Sequence, residues 1–84
     1  MTTETFNTIF LSVKDRAMRF AWSITGSRSD AEDIVQDVYE RLWQRRFLLR
    51  SNGFKSLIMT SVKNASIDRL RRQTPSPPEL NTTV

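Results

Sequence analysis

The sequence predicts an all-α domain, a compact three-helix bundle. Two observations lead there. Apolar residues recur every three or four positions through three stretches, 5–25, 29–43 and 54–72, which is the period of a helix with one buried side. Turn chemistry separates the stretches, Gly26–Arg28 first and Ser51–Gly53 second, and no proline interrupts them.

The first helix, Thr5–Thr25, places Phe6, Ile9, Phe10, Val13, Ala17, Phe20, Ala21 and Ile24 on its buried side. Thr3 or Thr5 can cap its start, and Gly26 stands where a left-handed residue ends a helix. Leu11, Met18 and Trp22 fall off that stripe. Trp22 reads as a partly buried aromatic, with a contact to another element or a partner as the alternative.

Ser29 and Glu32 announce the second helix, with the spacing of a capping box. Asp30, Glu32 and Asp33 lie at the positive end of its dipole, and Arg41, Arg45 and Arg46 at the negative end. Ala31, Ile34, Val35, Val38 and Leu42 form its core side, and the short Gly26–Arg28 turn makes the first two helices an antiparallel hairpin. The pattern lets this helix run on to Phe47, and Phe47, Leu48 and Leu49 are apolar enough to fold back on the core.

Ser51, Asn52 and Gly53 supply a turn and a cap for the third helix, Phe54–Arg72. Its core face holds Phe54, Ile58, Val62 and Ala65, flanked by Met59 and Leu70. Its opposite face holds Ser56, Thr60, Lys63, Asn64, Ile67 and Arg71. Asp68 and Arg72 are spaced to pair on the helix surface. From Gln73 onward three closely spaced prolines leave little to bury. Residues 1–72 are therefore expected to form the domain and 73–84 a Pro-rich linker or disordered tail.

At 84 residues the chain accommodates one small domain. It has no cysteine and no histidine, which excludes disulfides and the usual zinc ligand sets and removes the commonest general base. No nucleophile is paired with a base, and no Gly-rich phosphate loop is present. Neither enzymatic activity nor a cofactor is expected. Asp33, Asp37 and Glu40 have a spacing that could hold a metal ion, but a solvated face is the simpler reading. With no long apolar run and no signal peptide, the expectation is a cytoplasmic protein without membrane insertion.

The net charge of +4 is unevenly spread. Residues 1–40 hold four cations against seven carboxylates, whereas 41–72 hold nine cations against Asp68 alone. One half suits a basic protein surface, the other a polyanion. On the second helix the acids and amides line up as a stripe, Asp33, Gln36, Asp37, Glu40 and Gln44, with Trp43 along its border. Such a stripe is either a solvated face or a docking surface for a basic partner.

The segment DAEDIVQDVYERLW is followed after a basic loop by F-x-x-L-x-x-x-x-x-x-N-x-x-I-D-R-L-R-R and then a Pro-rich stretch. Over about residues 5–72 this resembles region 2 of a bacterial RNA polymerase sigma factor of the sigma-70 family, and its extracytoplasmic-function (ECF) branch in particular. The resemblance implies a transcription-initiation domain that binds RNA polymerase core at the clamp helices of the β′ subunit. Asp33, Gln36 and Asp37 match the family's D-x-x-Q-D/E core, with Tyr39, Glu40 and Trp43 in positions for further contacts and Trp43 the natural hot spot.

It also implies promoter DNA as a partner, through recognition and melting of the -10 element by capture of the non-template single strand. Asn64 matches the family asparagine at the base pocket, and an amide can both donate to and accept from a base edge. Gln44–Gly53 corresponds to the specificity loop, from which Arg50, Ser51 and Asn52 reach the DNA. Lys63, Ile67 and Arg71 extend that surface, and Arg69 and Arg72 either grip phosphates or hold the fold. An anti-sigma factor is a further candidate partner. Many ECF members carry tryptophan where this chain has Leu57, and nothing in these residues resembles the helix-turn-helix that reads the -35 element.

Two readings from other classes compete. A helix-turn-helix regulator would read duplex DNA with Ser56, Thr60, Lys63, Ile67 and Arg71. A protein-interaction module would use the acidic stripe and leave the basic face to solvent.

Overall fold

The chain folds into three helices in the computed structural model, which describes residues 1–73: α1 (Thr3–Thr25), α2 (Arg28–Gln44) and α3 (Phe54–Gln73). The expected linker or tail, apart from Gln73, lies outside the described residues. α1 packs on both other helices and α2 touches α3 less. Neighbours in the chain run antiparallel, so Phe6 near the start of α1 meets Phe54 at the start of α3, and Arg69 late in α3 reaches Asp30 early in α2.

The termini of α1 and α2 show how local chemistry sets the hairpin. Thr2, rather than Thr3 or Thr5, caps α1, its Oγ1 accepting from Thr5 N–H at 3.1 Å. Gly26 ends α1 at φ 73°, a left-handed conformation that a side chain resists, and its N–H donates to Trp22 O at 2.8 Å. The chain reverses at once. Ser27 is already extended (φ −133°, ψ 123°) and its Oγ accepts from Asp30 N–H at 3.2 Å, so Ser27 is the cap of α2 where Ser29 is expected. Both serines have an acid three residues on, so local spacing alone does not separate them. The tight reversal does.

The core is graded. Near the start of α1, Phe6 is the hub, with ring centroids 5.1–6.0 Å from Phe10, Tyr39, Trp43 and Phe54. Towards the hairpin the buried residues shrink to Ala17, Ala21 and Ala31, which lets α1 and α2 approach closely. Val13, Ile34, Val35, Val38, Leu42, Ile58 and Val62 fill the space between. Ser66 is also fully buried, where the helical period places Ala65 in the core. Ser66 Oγ donates to Val62 O at 2.7 Å, so its hydroxyl is satisfied within its own helix. Ala65 is half-buried beside it.

The second connection departs further from expectation. α2 stops at Gln44 instead of running on to Phe47, and Arg45–Leu48 form a tight turn with Leu48 N–H donating to Arg45 O at 2.8 Å. Of the three apolar residues there, only Leu49 folds onto the core. Phe47 and Leu48 remain 69% and 85% exposed. Arg46 takes the inner position instead. Its Nη1 donates to Trp43 O at 2.9 Å, its Nε donates to Thr3 Oγ1 at 3.0 Å, and its guanidinium lies over both the Trp43 and Phe47 rings. Gly53, at φ 83°, turns the chain into α3.

Candidate functional site

α2 carries an acidic ridge on its outer side and α3 a basic one, and a groove of mixed charge lies between the two helices. Because α2 and α3 touch less than either touches α1, an opening of about 630 Å³ remains between them. Ile34, Val38, Leu42, Leu49, Leu57 and Ala65 provide its apolar lining. Asp37, Arg41, Gln44 and Arg45 line it from α2 and its end, Ser61, Asn64, Asp68, Arg69 and Arg72 from α3.

The acidic ridge is the outer side of α2. Asp33, Gln36 and Glu40 are exposed, and Gln36 Nε2 donates to Glu40 Oε2 at 3.1 Å. Asp37 is half-buried at the groove edge and its Oδ2 accepts from Arg41 Nη2 at 2.9 Å. Tyr39 and Trp43 belong to a different environment. Tyr39 OH donates to Asn7 Oδ1 at 2.7 Å, and its ring meets Phe10 edge-on at 5.0 Å. Trp43 stacks on Tyr39 at 5.8 Å, meets Phe6 edge-on, and carries Arg46 3.9 Å over its ring. Both aromatics are therefore part of the core rim, with only an edge left for a partner. Their spacing along α2 does not reveal this, since it depends on which residues of α1 lie opposite.

The basic ridge is the outer side of α3 with the connection before it. Lys63, Asn64 and Arg71 are exposed and Ile67 is half-buried. Asn64 sits where this ridge meets the groove, one wall of which it forms. Arg50, Ser51 and Asn52 are exposed on the connection. Arg69 is a bundle residue: its Nη1 donates to Asp30 Oδ1 at 3.0 Å. Arg72 pairs with Asp68 at 3.1 Å on the surface, the expected helical pair. Arg41 and Arg45 also line the facing wall, a role that sequence reasoning misses. The one signal for it is their four-residue spacing, which places them on one side of α2.

Among the described residues no group of carboxylates is placed to hold a metal ion, and no helix is long and apolar enough to cross a membrane. The arrangement is that of a small helical binding domain with one acidic and one basic ridge. The family model for Sigma-70 region 2 matches residues 9–75, and the chain belongs to that family. Region 2 is a non-catalytic transcription-factor domain, with a role in binding RNA polymerase and recognising promoter DNA. No curated protein and no solved structure matches the chain significantly.

Proposed function

We propose that this region 2 domain is of the ECF type, works in a bacterial cytoplasm, and joins the β′ clamp helices of RNA polymerase to the -10 element. The acidic ridge of α2, with Asp33, Gln36 and Glu40 outermost, Asp37 beside them and the edges of Tyr39 and Trp43 behind, is the polymerase side. The connection and α3 are the DNA side, with Arg50, Ser51, Asn52, Lys63, Asn64, Ile67 and Arg71 in contact.

One observation carries the reading: Asn64 lines the groove between α2 and α3 together with four arginines, Arg41, Arg45, Arg69 and Arg72. Opening a duplex without ATP requires tighter binding of the single-stranded form than of the duplex. A groove that takes up a flipped base supplies that preference, because unstacking a base costs only a few kcal/mol. A volume near 630 Å³ is ample for one base. Cations along the ridge hold the flanking phosphates, while the Asn64 amide offers a donor and an acceptor to the base edge.

The test is a titration of RNA polymerase core, or of a β′ clamp-helix fragment, with the wild-type domain and with Asp33→Ala. Saturable binding by the wild type, weakened roughly tenfold or more in the variant at unchanged helix content, is the expected result. If the folded wild type does not bind, the acidic ridge is solvated and the polymerase assignment falls. Preference for duplex over single-stranded DNA would then make α3 a helix-turn-helix-like reader.

A further inference from the structure

We propose that Arg46 is a positioning residue that pre-orders the 45–53 connection, so that Arg50, Ser51 and Asn52 are presented beside the groove before DNA arrives. The functional half of this inference rests on the reading of that connection as a base-contacting segment.

Besides Arg46, the connection is held mainly by the Met1 amine, which donates to Arg46 O at 3.1 Å and to Leu49 O at 2.9 Å. Phe47, Leu48, Arg50, Ser51, Asn52 and Gly53 are all exposed, and Leu49 alone in that run packs on the core. A segment with so little burial opens at small cost unless something ties it down. Arg46 is tied in several directions at once. Its Nε donates to Thr3 Oγ1 on α1 at 3.0 Å, and its Nη1 donates to Trp43 O on α2 at 2.9 Å. Its guanidinium lies 3.9 Å over the Trp43 ring and 4.5 Å over the Phe47 ring. The planar fork reaches both helices and clasps the first residue of the exposed run.

These contacts use the shape of a guanidinium, not merely its charge. An ammonium has no plane to lay between two rings and no fixed pair of diverging donors. Arg46 is also half-buried, which separates it from the exposed Arg50, Lys63 and Arg71. Ordering the segment in advance removes the entropic penalty that a base reader would otherwise meet on binding, and it narrows the geometries available to a wrong base.

The experiment compares wild type, Arg46→Lys and Thr3→Val in the full chain, by two measurements. Amide hydrogen exchange reads the order of the connection at Leu48 and Leu49, whose N–H groups donate to Arg45 O and Arg46 O. Fluorescence anisotropy reads binding to single-stranded oligo-dT decamers carrying each of the four bases in turn at one central position. Arg46→Lys is expected to speed exchange at Leu48 and Leu49 about tenfold while leaving the α1 and α3 core amides unchanged. The ratio between the best-bound and worst-bound base should fall about threefold, with the salt dependence intact because the charge is kept. Thr3→Val should move both readings the same way by less.

Unchanged exchange in Arg46→Lys would overturn the proposal, and so would loosening of the connection without loss of base discrimination. Uniformly faster exchange across all helices would reduce Arg46 to a general stability contact and overturn it as well. Wild-type protein that does not discriminate among the four bases would instead overturn the base-capture reading. The exchange measurement would still decide whether Arg46 orders the connection.

Discussion

Arg69 Nη1 donates to Asp30 Oδ1 at 3.0 Å, tying the last turns of α3 to the first turn of α2. Side-chain exposures of 34% and 17% distinguish it from the ion pairs within single helices, whose members are all about half exposed or more. Charge-assisted and partly shielded, it should contribute about 1 kcal/mol, more than an open surface pair. Arg69→Met is expected to lower the urea midpoint accordingly, and to do so at high salt as well, because a shielded pair is screened less. An unchanged midpoint would show that Arg69 does not hold the fold.

Phe6 touches four other aromatic rings and is fully buried. Removing its ring at the junction of all three helices should cost about 3–5 kcal/mol. Domains this small have little stability to spare, so Phe6→Ala is expected to be largely unfolded by circular dichroism at 25 °C. Phe6→Leu, which keeps most of the volume, should remain folded with a lowered midpoint. Cooperative wild-type-like unfolding of Phe6→Ala would contradict the assignment of Phe6 as the hub.

Ser66 gives the opposite expectation. Its hydroxyl is buried but bonds only to Val62 O, one turn back in the same helix. Ser66→Ala removes donor and polar burial together and adds helix propensity, so stability should stay within about 0.5 kcal/mol of wild type or rise slightly. A loss above about 1 kcal/mol would mean that the Ser66 hydroxyl supports more than its own helix.

On the DNA side the ridge and the groove should separate by their signatures. Lys63→Ala and Arg71→Ala should each weaken single-stranded DNA binding nearly equally for all sequences and reduce the salt slope by somewhat under one. Asn64→Ala should leave the salt slope alone and lose affinity for one base identity, by roughly tenfold. An equal loss on every base would make Asn64 a backbone contact.

Much of the bundle is legible in the order of its residues. The buried sides of α1 and α2 are an unbroken 3.6-residue pattern, Gly26 punctuates them, and the fold buries all five of Ala31, Ile34, Val35, Val38 and Leu42. The sign of charge on each ridge is likewise a matter of counting residues on a helix face. The Asp68–Arg72 pair follows from spacing alone. Where two local solutions compete, as with Ser27 and Ser29, the pattern does not choose between them.

Three helices, their inward faces and a chain split into acidic and basic halves are thus set by local pattern, because each depends on neighbours within one or two turns. Packing between the helices settled the rest. It turned Phe47 and Leu48 outward and drew Arg46 in between two rings, enlisted Tyr39 and Trp43 in the core rim, buried Ser66, and left a groove between α2 and α3 for Asn64 to line. The reason is physical. Apolar character says that a residue gains by burial, but which residue is buried depends on what the other helices place opposite it.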